Sequence, residues 1–164
     1  LALRSGAEEA CGFLDEAGRC QIHAYRPGIC RLFPLGRFYE NGSFQYFLQI
    51  HECKKENRTK VKVKKWIDTP DLKQYEAYIS RWHYFLKDIR TAETEAAQKL
   101  LAEPCTGTAQ EQEIQKKNRA AAAAEREKRR NLLIMKLFYL LPYDGKKDFY
   151  EQFEKRMQMA ERSL

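Results

Sequence analysis

The sequence lacks any apolar run long enough to span a bilayer: its longest, Leu132–Leu141, is interrupted by Lys136, where a membrane helix needs about 20 consecutive apolar residues. No membrane-spanning helix and no membrane partner are expected. Glycine is scarce, 8 of 164 residues, and no glycine-rich loop of the kind that cradles phosphates occurs. There is no HExxH pair, and no Ser/His/Asp or Cys/His set can be placed in contact from sequence. No catalytic residue is therefore singled out, and whether the protein is an enzyme stays open at this point. Nothing at the start has the charged and apolar regions of a signal peptide. The chain opens at Leu1, in what reads as a loop, so residues upstream of it are expected. Finally, the five cysteines include no CxxC pair, the spacing by which one tight turn aims two sulfurs at one ion.

What is present points to a single domain with appendages, since 164 residues at 43% hydrophobic suffice for one real core but hardly for two. Thirty Lys and Arg against 23 Asp and Glu leave a net charge of +7. The excess is spread over two knots. Lys60, Lys62, Lys64 and Lys65 form one; Arg126, Lys128, Arg129 and Arg130 form another among Glu125 and Glu127. They read as solvated faces rather than one anion-binding patch. Nucleic acid is a disfavoured partner, because the aromatic interleaving around Trp66 is thin; a protein substrate or partner is the preferred class.

Along the chain, residues 1–35 carry Gly6, Gly12, Gly18, Pro27, Gly28 and Pro34 among cysteines, with no sustained period. Such a loop-rich stretch buries too little to offset chain entropy and needs a staple. Arg37-Phe38-Tyr39 and Phe44–Ile50 flank Glu40-Asn41-Gly42-Ser43, where Asn-Gly supplies the positive φ angles of a tight hairpin. Lys60-Val61-Lys62-Val63-Lys64 alternates with period two and predicts a third, edge strand. Thr69 as N-cap, Pro70 and Asp71 predict the start of a helix, with Leu72, Tyr75, Ile79, Trp82, Leu86 and Ile89 on one stripe. A second helical stretch runs from about Gln110 through the alanines at 120–124 to Leu140. After the turn at Pro142–Gly145, Phe149, Phe153 and Met157 lie one turn apart on a last helix. The expected class is α+β and mostly helical: a cysteine-rich β-hairpin module over 1–68, then a helical hairpin or bundle over 69–164 packing on it as one unit.

The chemistry is concentrated in Cys11-x8-Cys20-x9-Cys30, followed by Cys53 beyond the hairpin. Four soft ligands satisfy either a tetrahedral zinc or an iron–sulfur cluster. Four of five cysteines before position 54 favour thiolate ligation in a reducing, cytoplasmic setting over a disulfide framework. His23 and His51 are secondary ligand candidates, since imidazole also suits zinc. Arg19, Arg26 and Arg31 stand beside Cys20 and Cys30 in sequence, where guanidinium charge can offset that of a thiolate centre. Pro27 can open a short helical turn that brings Cys30 near free backbone amides. Cys105, isolated beside Pro104, reads as an ordinary buried thiol.

Three linked motifs then carry a resemblance: Cys11-Gly12-Phe13-Leu14, Gly18-Arg19-Cys20-Gln21-Ile22-His23, and Arg26-Pro27-Gly28-Ile29-Cys30-Arg31-Leu32-Phe33-Pro34. In this order they resemble the downstream half of the YkgJ-type cysteine-cluster family, described as zinc- or iron-chelating, over roughly residues 10–55. The resemblance implies that Cys11, Cys20 and Cys30 occupy the family's downstream cysteine positions. It also implies that the hallmark CxxCxxCC segment lies upstream of Leu1 or has been lost. Flagellin lysine N-methylases contain a similar cluster, so the resemblance further implies an alternative: an iron–sulfur-dependent protein lysine N-methyltransferase. A basic nucleic-acid-binding or interaction protein is the third reading.

Overall fold

The computed structural model describes residues 10–50 and 59–163. Its architecture is α+β and mostly helical. The chain contacts divide it into an N-terminal unit, Leu1–Ser80, and a C-terminal unit, Arg81–Leu164.

In the N-terminal unit a short helix α1, Gly28–Leu32, precedes the antiparallel strands β1, Leu35–Glu40, and β2, Ser43–Leu48. The register pairs Leu35 with Leu48 and closes at Glu40 opposite Ser43. Asn41 and Gly42 have φ of 50° and 76°, the two left-handed residues that let a two-residue turn match the strand twist. One face of the hairpin carries Arg37, Tyr39, Phe44 and Tyr46. Tyr39 lies tilted at 5.4 Å from Phe44, and Phe44 lies edge-on at 5.1 Å from Tyr46. The Arg37 guanidinium sits 5.4 Å from the Phe44 ring and 5.5 Å from that of Tyr75, so the cation binds this aromatic face together.

The expected edge strand at Lys60–Lys64 is not formed. Residues 59–62 are irregular and Val63–Ile67 is a short helix, α2. Two valines are too few to hold a strand at a sheet edge, whereas Val63 and Ile67 lie four apart and share a helical face. Ile67 is buried, as is Leu32 of α1, and the two short helices pack together, while Val61 stays exposed. Tertiary burial thus overrides the local alternation. Asp68, at φ 50°, ends α2 in the left-handed conformation and donates its N–H to the Lys64 carbonyl.

The long helix α3 spans Leu72–Ala102 and carries the division between the units. Its cap is Asp71, whose Oδ1 accepts the Gln74 N–H at 2.9 Å; the expected cap at Thr69 is therefore corrected by two residues. Asp71 is itself a strong capping residue, and Thr69 and Pro70 are left in the approach to it.

In the C-terminal unit α4, Ala109–Met135, begins with a capping box: Thr108 Oγ accepts from the Glu111 N–H and the Glu111 carboxylate accepts from that of Thr108. It widens into a π-turn at Lys136–Leu140, and α5 spans Phe149–Ser163. The core is aromatic. Trp82 packs 4.7 Å from Phe138 and 6.0 Å from Phe153, and Phe85, Ile134, Leu137, Met157 and Ala160 are buried with them. The predicted stripe on α3 is half-buried, and its one fully buried neighbour is Phe85, which lies between its positions. Of the three apolar residues spaced one turn apart on α5, Phe153 and Met157 are buried and Phe149 is 40% exposed. Among the described residues no helix is long and apolar enough to cross a membrane.

Candidate metal centre

Cys11, Cys20 and Cys30 are each held by local backbone structure, and none is in a disulfide. Cys11 opens a turn, its carbonyl accepting the Leu14 N–H at 3.1 Å, and Leu14 bridges Cys20 in antiparallel fashion. The loop between is closed by Asp15. Its N–H donates to the Arg19 carbonyl at 2.9 Å, and its Oδ1 accepts the N–H groups of Ala17 and Arg19 at 3.0 and 2.8 Å. Gly18, at φ 72°, supplies the left-handed residue this reversal requires. Beyond it, the Cys20 carbonyl accepts the His23 N–H at the 3-10 turn His23–Tyr25, and Pro27 then starts α1 with Cys30 in its first turn.

The helical turn at Pro27 is as expected, with the Cys30 amide donating to the Pro27 carbonyl at 2.9 Å. The arginines are committed elsewhere. Arg19 pairs with Asp15 at 3.4 Å, and Arg26 donates to His23 Nε2 at 3.1 Å. Arg31 donates to the carbonyls of Ala24, Arg26 and Asp68. Arg31 acts as a loop tie, since a guanidinium's fixed fork satisfies several carbonyls at once. His23 is exposed with Nε2 engaged by Arg26, leaving Nδ1.

The base on which Cys30 stands is built from three segments. Trp66 Nε1 donates to the Phe33 carbonyl at 3.2 Å, tying α2 to the end of α1. Arg37 donates to the Tyr75 hydroxyl at 2.9 Å, and that hydroxyl lies so close to Gly28 that a Cβ there would stand 2.9 Å from it. Gly28 is thus glycine for close approach. The Tyr46 hydroxyl is buried with no hydrogen-bond partner in good geometry. Burial first, and the nearby Glu76 carboxylate next, push its pKa up to about 12. Sequence reasoning missed Asp15, Trp66 and Arg37 as supports. An Asp-x-x-Gly-Arg turn is a readable signal for the first; the other two depend on long-range contacts that leave none.

By donor chemistry the residues suit a soft metal: three free thiols, two of them half-buried, Cys11 and Cys20 in the N-terminal loops and Cys30 on α1. Among the described residues, however, no three His, Cys, Asp or Glu side chains are grouped to hold an ion. Cys53 and His51 lie outside the described residues. Residues 2–59 match the family CxxCxxCC, described as a putative zinc- or iron-chelating domain. That match agrees with the resemblance read from the motifs and spans all four candidate cysteines. No curated protein and no solved structure matches the chain.

Proposed function

We propose that the N-terminal unit chelates zinc or an iron–sulfur cluster through the thiolates of Cys11, Cys20, Cys30 and Cys53, in a reducing compartment. The observation that carries this reading is the family match over residues 2–59, whose span includes four cysteines, three of them free thiols in segments tied by local backbone hydrogen bonds. Bound zinc would serve as a staple between loops, and a cluster would add a one-electron redox couple. Thiolates drawn from separate stretches of the chain couple metal binding to folding, so chelation in this reading also stabilises the unit. His23 and His51 are auxiliary donors in this reading.

The test is metal analysis of the full chain purified anaerobically, with visible absorption to separate iron–sulfur from zinc. Metal retained by the parent chain and lost in Cys20→Ser and Cys30→Ser, but not in Cys105→Ser, supports the assignment. Absence of both metals with all thiols freely titratable rejects it, and so does equal metal content in the three variants.

A further inference from the structure

The C-terminal unit contains a groove that metal chelation does not use. It runs between α3 and α4, with a volume of about 1280 Å³, and is lined by Ala92, Ala96, Ala123 and Ala124 together with Leu100 and Leu133. The backbones of α3 and α4 scarcely approach within 8 Å of each other, so neither arm covers the other's small side chains. Pockets for small ligands hold about 300–1,000 Å³. This one is larger and is lined along both helices.

Its charges indicate the occupant. Glu93 with Arg130, Arg129 with Glu125 and Glu161 with Arg81 are ion-paired within the chain. Four lining charges form no ion pair among the described residues: Asp88 and Arg90 on α3, Arg126 and Glu127 on α4. They are two of each sign. A nucleic acid, or any partner of one sign, would satisfy half of them and oppose the other half. A second copy of this chain carries both signs in the same arrangement, and a two-fold axis pairs residue i with j and j with i. The alanines behave likewise: small side chains on both copies let the helices approach closely over the shared surface.

We infer that the α3–α4 groove is a homodimer interface, in which a second copy lays its own α3–α4 arms about a two-fold axis. Ala124 is exposed, and glutamate is a good helix former, so Ala124→Glu leaves the fold intact while placing a larger, charged side chain in the groove. Sedimentation equilibrium of the full chain is the test, with far-UV circular dichroism as the folding control. The wild type self-associates, and Ala124→Glu raises its dimer dissociation constant by about tenfold or more. A second pair of variants is read independently: Arg90→Glu with Arg126→Glu, and Asp88→Lys with Glu127→Lys. Each is monomeric alone, and mixing the two restores a heterodimer. A wild type that is monomeric at every accessible concentration overturns the inference, as does a dimer unaffected by Ala124→Glu. Charge variants that stay monomeric on mixing also overturn it. Salt-dependent binding of a labelled single-stranded RNA, abolished by Ala124→Glu, would assign the groove to nucleic acid instead.

Discussion

Arg156 is buried, yet it lies on the apolar stripe of α5 beside Phe153, Met157 and Ala160. It donates to the carbonyls of Leu137, Leu141 and Pro142 at 2.8, 2.7 and 2.8 Å, and its guanidinium stacks 3.5 Å from the Tyr143 ring centre. These are carbonyls that the end of a helix leaves without intrahelical donors, so α5 caps the π-turn that follows α4. In Arg156→Ala, water can reach the exposed Leu141 and Pro142, but the Leu137 carbonyl accepts its bond in a buried setting. An unsatisfied buried acceptor costs about 1–3 kcal/mol, and loss of the stacked cation adds about 0.5–2 kcal/mol. With the lost packing of the stem, Arg156→Ala should destabilise the C-terminal unit by about 3–4 kcal/mol. For a unit of this size each kcal/mol lowers Tm by about 4–8 °C, so the midpoint falls by roughly 12–32 °C. Thermal and urea unfolding followed by Trp82 fluorescence in a Trp66→Phe background reads this unit alone. Arg156→Lys keeps the charge without the fork and should recover only part of the loss. If Arg156→Ala unfolds within about 1 kcal/mol of the parent, below the estimate from a buried unsatisfied carbonyl, the capping argument is wrong. An Arg156→Met variant as stable as the parent would show that guanidinium desolvation cancels the gain.

Gly28→Ala places a Cβ against the Tyr75 hydroxyl and should break the Arg37 bond, lowering the stability of the N-terminal unit by about 1–2 kcal/mol; unchanged unfolding followed by Trp66 fluorescence would refute this. Tyr46, whose pKa is pushed up to about 12, stays protonated in the fold where the unfolded chain ionises near pH 10. Its contribution to stability is therefore complete below about pH 10 and is lost as pH rises toward 12. Tyr46→Phe should flatten alkaline unfolding in that window, and an identical profile would remove Tyr46 as the cause. Adding a chelator to the metal-loaded chain should speed hydrogen exchange around Cys11–Cys30 and leave Trp82–Ile89 protected. Loss of protection in both regions together would show one cooperative unit.

Local chemistry made much of this protein readable in advance. Asn41-Gly42 specified the hairpin because only left-handed backbone closes a two-residue turn. Pro142–Gly145 and the apolar spacing of Phe153 and Met157 specified the last helix, and the order of the cysteine motifs pointed to the family whose model matches residues 2–59. Features that depend on distant partners were not readable. Lys60–Lys64 has the pattern of a strand, and Val63–Ile67 became helical because Ile67 could be buried with Leu32. Arg19, Arg26 and Arg31 are next to cysteines in sequence, but carbonyls, Asp15 and His23 claim them in space. Arg156 stands on an apolar stripe because three carbonyls beyond α4 accept from it, partners that no local spacing points to. Residue type and spacing determine turns, caps and ligand inventory because these act within a few residues. Which polar group satisfies which is decided by tertiary structure, because burial makes each unpaired donor or acceptor costly wherever in the chain its partner lies.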